Sequence, residues 1–204
     1  DATEFYKNLG VSKDYKGFMI TLITSVNATI RLMPIIECMK KFSDDVKLIV
    51  AGTGELLTKY KNITFDNKNI IFTGYIDRGK IFQLLKLSHI GVVPYVLRKD
   101  FLASISNKAI EYLSQGLPIV TNLPKTSVLG RKILENDCGF CYDDDKLESL
   151  VRIINNLKGN KRLLNLMSDN AKTLYEREFV AEKVYSNMCR HLEKVAYSHK
   201  KACV

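Results

Sequence analysis

A chain of 204 residues is long enough to bury one sizeable core and short for two. Its 46% apolar and 26% charged residues exclude a disordered chain, and no apolar run reaches the roughly 20 residues of a membrane-spanning helix. A net charge of +9 favours anionic partners such as phosphates, nucleotides, nucleic acid or an acidic membrane surface, although scattered lysines also suit an ordinary solvated face.

The opening residues, 1–17, carry little periodicity and read as the remnant of a linker or hinge; a start at Asp1 with no charged-then-apolar leader is expected of a fragment. "GFMITLITSV" (Gly17–Val26) is β-branched and apolar, a buried strand. "RLMPIIECMKKF" (Arg31–Phe42) has helical spacing through Leu32, Ile35, Ile36 and Met39, with Pro34 tolerable in the first turn. "VKLIVAGTGE" (Val46–Glu55) is a second strand ending in a glycine turn, and "NIIFTGYI" (Asn69–Ile76) a third. A helix over 77–88 turns Ile81, Leu84, Leu85 and Ser88 inward, and "IGVVPY" (Ile90–Tyr95) is a fourth strand. A long loop, Val96–Ile105, leads into a helix within "SISNKAIEYLSQGLPIV", and "LPIVTN" is the fifth strand. "CGFCY" is a candidate sixth, and the remainder is helical over Lys146–Leu157, Lys161–Tyr175 and Ala181–Tyr197. The last of these carries Val184, Met188, Leu192 and Val195 on one stripe.

Short apolar strands separated by helices predict an α/β fold, a Rossmann-like doubly wound parallel sheet with extra C-terminal helices. The sheet domain is expected over 18–180, followed by a C-terminal helix and tail over 181–204. In such sheets ligands sit beyond the carboxyl ends of the strands, which points to Thr24–Thr29, Gly52–Glu55, Tyr75–Arg78, Tyr95–Ser106 and Thr121–Thr126.

The five cysteines are an odd number, with Cys38 and Cys189 on apolar helical faces, and suggest reduced thiols in a cytoplasmic setting. Cys138 and Cys141 have redox-motif spacing, but "CGFCYDDDK" reads as a strand running into an acidic turn rather than into a helix. No second ligand pair accompanies them, and no metal is expected.

Ser106 is the expected N-cap of the helix after the long loop. Asn107, Lys108 and Ala109 then present unpaired backbone N–H groups, an anion site to which Lys108 adds a mobile charge. Ile110, Leu113 and Leu117, with Ala109 beside them, are expected to pack on the sheet. Glu111 stands on the side of Asn107, roughly 6 Å beyond the helix tip, and a carboxylate there suits a ribose diol. A solvated glutamate, or one paired with Lys108, fits the same pattern. Gly116 supplies a left-handed stop and Pro118 ends the helix. Gly52 and Gly54 either approach a ligand or only turn the chain, and Tyr75 and Ile76 either border a base or only pack.

In order, "LIVAGTGEL", "NIIFTGYIDRGKIFQLLKLSHIGVVPY", "SNKAIEYLSQGLPIVTN" and "NDCGFCYDDDKLESLVRIINNL" resemble the C-terminal half of a GT-B glycosyltransferase of family 4 (group 1), over Phe18 to Phe179. The resemblance implies a nucleotide-sugar-binding domain of a retaining enzyme, with a UDP-sugar donor, no obligatory metal or cofactor, and a glycan or lipid-linked acceptor in surface polysaccharide synthesis. It assigns Glu111 to the ribose, Ser106, Asn107 and Lys108 to the diphosphate, Tyr75 and Ile76 to the base, and Gly52 and Gly54 to a loop near the donor. The family's earlier glutamate falls at Ala103, and its Arg…Lys pair has only Arg31, poorly aligned, to answer it. The acceptor-binding N-terminal domain is expected outside this chain, which alone should bind donor without turnover.

Two other readings keep the fold: a sugar epimerase, or a degenerate non-catalytic interaction module, which the absent Arg…Lys pair favours. Nucleic acid is not an expected partner, since aromatic and basic residues are not interleaved. The basic C-terminal tail either meets an anionic membrane, at the cytoplasmic inner face, or packs back on the absent half.

Overall fold

Each apolar run expected as a strand joins one sheet, because residues apolar on both faces must be covered on both. The structure is a computed structural model that describes Leu9, Val11 and residues 15–202, with side chains to residue 196. The strands are β1 (Phe18–Ile23), β2 (Val46–Ala51), β3 (Ile70–Gly74), β4 (Ile90–Val93), β5 (Ile119–Thr121) and β6 (Gly139–Cys141). All pair in parallel, in the order β3-β2-β1-β4-β5-β6. The chain winds outward from β1 to β3 and returns past it to β4, so the order reverses between β1 and β4.

The helices are α1 (Leu32–Met39), α2 (Leu57–Ile63), α3 (Arg78–Leu87), α4 (Lys99–Leu102), α5 (Asn107–Ser114), α6 (Val128–Glu135), α7 (Leu147–Gly159), α8 (Lys161–Glu178) and α9 (Ala181–Ala202). One sheet face, through Phe18, Ile20, Leu22, Leu48 and Val50, packs on Ile35, Ile36 and Met39 of α1 and on Leu150 and Ile154 of α7. On the other, Val93 and Ile119 meet α5, α6 and α8, while Met19 and Ile49 meet Leu84 of α3. Leu9 and Val11 are buried in that last cluster; most of the expected linker, 1–17, lies outside the described residues.

Three helices were not expected. In α2 only Tyr60 is buried, so no apolar stripe announces it. The four residues of α4 interrupt the loop expected over Val96–Ile105. In α6 a central Gly130 weakens the helical signal, yet a β-carbon there would meet the Pro124 carbonyl at 2.3 Å. Ser127 caps α6 by accepting from the Gly130 N–H at 3.0 Å.

The inward face of α5 also differs from expectation. Tyr112, not Ile110, is fully buried beside Ala109 and Leu113, because its hydroxyl accepts the Ile23 N–H at the end of β1 at 2.8 Å. Gly91 in β4 makes room for that ring; a β-carbon there would lie 2.3 Å from it. Leu117 is buried just after the helix, and Gly116 takes the expected left-handed turn at φ 69°.

Candidate functional site

The carboxyl edge of the sheet brings the β1, β2 and β4 loops against the start of α5. Ser106 is the N-cap residue in extended backbone, φ −75° and ψ 152°, but its hydroxyl makes no capping bond and is buried without a partner. The Ala109 and Ile110 N–H groups turn back to the Ser106 carbonyl at 3.0 and 3.2 Å. Among the described residues those of Asn107 and Lys108 have no acceptor, and they face the loops with the positive end of the helix dipole.

Lys108 does not pair with Glu111. Its Nζ donates to Thr24 Oγ1 at 2.8 Å and lies 4.6 Å from the centre of the Tyr95 ring. Among the described residues no carboxylate balances it, and burial pulls its ammonium down from the ordinary 10.5 to about 8. The Tyr95 ring stacks on Phe101 of α4 at 4.2 Å and 6°, and the Arg98 guanidinium lies 4.9 Å from the Phe101 centre. The Tyr95 backbone is clamped by one side chain: its N–H donates to Asn122 Oδ1 at 3.0 Å and its carbonyl accepts from Asn122 Nδ2 at 2.7 Å. Lys108 is thereby fixed at the point where strand order reverses.

Glu111 and Asn107 are exposed on one side of α5, and the Glu111 carboxylate has no partner among the described residues. Ala103, exposed at the end of α4, offers no second acid. Gly52 and Gly54 serve the fold first: β-carbons there would meet the Thr24 and Val26 carbonyls at 1.8 and 2.3 Å. Their close approach seats the β2 loop on the β1 loop that carries Thr24, and Gly52 adds φ 133°. Just past β3, Tyr75 is 80% exposed, whereas Ile76 is half-buried against the Met19 and Leu84 cluster.

Arg31, just before α1, donates from Nε to Asp144 Oδ2 at 2.9 Å, and Asn122 Nδ2 donates to the same oxygen at 2.7 Å. Asp144 Oδ1 and the Tyr142 hydroxyl are buried and unpartnered beside them. Burial, then Asp144, hold the Tyr142 phenol well above its usual range, so it remains a proton donor. These residues line a cavity of about 620 Å³ at the ends of β4, β5 and β6, rimmed by Leu97 and Lys125. Cys138 is buried and Cys141 half-buried, with thiols pushed up by burial to about 12 and about 11, which leaves both unreactive. Cys189, expected on an apolar face, is exposed.

The structure therefore brings Lys108, the α5 tip and the glycine loop to one edge and leaves Arg31 on the cavity wall. Thr24, Tyr95 and Asn122 were not singled out in the sequence; only their positions directly after strands mark them. Among the described residues no helix is long and apolar enough to cross a membrane.

A family model described as glycosyl transferases group 1 matches residues 18–160. Among solved structures, Anabaena Alr3699/HepE in complex with UDP and glucose is similar at a TM-score of 0.76 and 16% identity, over 94% of this chain and 51% of that one. WaaG, a glycosyltransferase involved in lipopolysaccharide biosynthesis, gives 0.67 and 14%, over 88% and 48%. The C-terminal domain of a group 1 family protein (LpcC) from Francisella tularensis gives 0.68 and 16%, over 89% and 94%. The chain thus spans about half the length of the first two and nearly all of the isolated C-terminal domain. No curated protein matches it.

Proposed function

The chain belongs to the group 1 glycosyl transferases, and from that membership we propose that it is the donor half of a retaining glycosyltransferase that uses a nucleotide sugar, with UDP as the carrier. One observation carries the reading: a half-buried ammonium, Lys108, stands at the free N-terminus of α5 with no carboxylate among the described residues to balance it. A diphosphate supplies that missing charge, accepts from the Asn107 and Lys108 N–H groups, and leaves the ribose one turn along at Glu111. UDP in the Anabaena protein supports the choice of carrier.

Mechanistically, breaking the glycosidic bond leaves negative charge on the diphosphate, and donors fixed beforehand lower that barrier most. Here they are two backbone N–H groups, the helix dipole and Lys108, held by Thr24 and Tyr95. No step requires a metal. A second half-molecule, of the length the Anabaena protein has beyond the matched part, would bring a glycan or lipid-linked acceptor. The setting we propose is the cytoplasm or the inner face of an anionic membrane, in surface polysaccharide synthesis.

A second reading, a donor site retained for contact without turnover, is favoured by Ala103 and by the engagement of Arg31 with Asp144. Titration calorimetry of the chain with UDP, GDP and ADP tests donor binding, with UDP expected tightest. Product analysis on the two-half protein with labelled UDP-sugars separates the readings, since released sugar or glycoside requires turnover. An epimerised nucleotide sugar would identify an epimerase, and failure of every nucleotide to bind defeats the donor-site proposal.

A further inference from the structure

The sheet ends at β3 without protection. β3 is the last strand in the order, and among the described residues no strand pairs with its outer side. An open edge leaves a row of backbone N–H and C=O groups unpaired, and soluble proteins blunt such edges with charges, prolines or very short strands. The opposite end of the sheet does so: β6 has three residues, set between Asp137 and Asp143. β3 has five, Ile-Ile-Phe-Thr-Gly, with neither charge nor proline. Its side chains are already used, Ile71 against the Met19 and Leu84 cluster and Phe72 against the α1 side, so the backbone edge is what remains to be paired. We propose that this edge pairs with the same edge of a second copy of the chain, antiparallel about a two-fold axis at Phe72, and joins the two sheets into one.

The surroundings suit a strand in that position. Phe65, in the turn between α2 and β3, is 87% exposed, and with Ile70, Ile71, Phe72, Lys61 and Lys68 it lines a groove of about 370 Å³ along the strand. An arriving strand fills the groove and takes the Phe65 ring out of water. Charge selects both the occupant and its direction. Asp66 and Arg78 stand equally far from Phe72 along the chain, both exposed and without a counter-ion among the described residues. Phe72 is the middle residue of β3, so antiparallel self-pairing about it sets the Asp66 end of each strand beside the Arg78 end of the other. A parallel pairing would instead bring Asp66 to Asp66 and Arg78 to Arg78. A bilayer would attract Lys61 and Lys68 but repel Asp66. The crevice between β1 and β4 lies two strands away, so both α5 tips stay open, and the pairing stands independently of the donor reading.

The test is sedimentation velocity of the chain over a dilution series, on wild type, Phe65→Glu, Asp66→Arg and the double reversal Asp66→Arg with Arg78→Asp. All three positions are exposed, so each variant should melt with wild type in dilute solution, where both are monomers. The wild type is expected to be a dimer that dissociates on dilution. Phe65→Glu and Asp66→Arg should each raise the dissociation constant about tenfold or more, and the double reversal should restore the wild-type value, a recovery that no effect on the isolated fold would produce. Amide exchange at Phe72 should slow as the dimer forms. A wild type that stays monomeric at every concentration overturns the proposal. So does a dimer indifferent to Phe65→Glu, or one that Asp66→Arg weakens and the double reversal fails to rescue. Binding of a monomeric wild type to phosphatidylserine vesicles, lost in Phe65→Glu, would assign the edge to a membrane instead and equally overturn it.

Discussion

At the scale of single residues, Lys108 carries more of the account than Glu111. A solvated lysine at a helix start would be unremarkable; this one is half-buried between Thr24 and Tyr95, without a counter-ion among the described residues. Charge-assisted hydrogen bonds contribute about 1.5–3 kcal/mol, so Lys108→Met should weaken UDP binding about ten- to a hundredfold by calorimetry. Protonation adds a second signature. With the ammonium lowered to about 8, UDP affinity falls as pH rises through about 8, and Lys108→Met removes that step. The sign for stability is the opposite. A lysine whose folded pKa lies below its ordinary 10.5 relieves the fold fully above 10.5, and that relief is lost as pH falls through about 8. Its contribution to unfolding free energy therefore rises between those two values, and chemical denaturation of wild type against Lys108→Met across that range measures it.

At the scale of elements, α5 is placed by a contact that periodicity could not reveal. The stop signals at Gly116 and Pro118, the N-cap position of Ser106 and the outward side of Glu111 were all legible, because they depend on local backbone chemistry. The burial of Tyr112 was not, since it depends on a hydroxyl meeting the Ile23 N–H 89 residues away. Tyr112→Phe leaves that N–H unpaired and should cost about 1–3 kcal/mol in denaturant unfolding. The glycines of the β2 loop were legible as a turn but not as a seat for the β1 loop. Gly52→Ala, with a β-carbon 1.8 Å from the Thr24 carbonyl, should destabilise by about 1–3 kcal/mol and weaken UDP binding together. Helices α2 and α4 escaped notice for want of an apolar stripe.

At the scale of the whole molecule, strand order sets the site: reversal between β1 and β4 leaves a crevice there, and three loops and a helix start converge on it. The parallel doubly wound sheet was readable from unalternating apolar runs, while strand order was not, because it is fixed by crossovers. Along α9 the residues read as one apolar stripe, Val184, Met188, Leu192 and Val195, are each at least 42% exposed. Leu192→Glu should therefore shift the stability of this chain by no more than about 0.5 kcal/mol, measured by urea unfolding. The most direct test of the central claim, that α5 reads a nucleoside diphosphate through its tip and Glu111, is a four-way calorimetric comparison of UDP and 2′-deoxy-UDP on wild type and Glu111→Ala. The account predicts that wild type binds UDP about tenfold or more tightly than 2′-deoxy-UDP and that Glu111→Ala binds the two alike. Equal affinities in the wild type, or discrimination that survives Glu111→Ala, would contradict it.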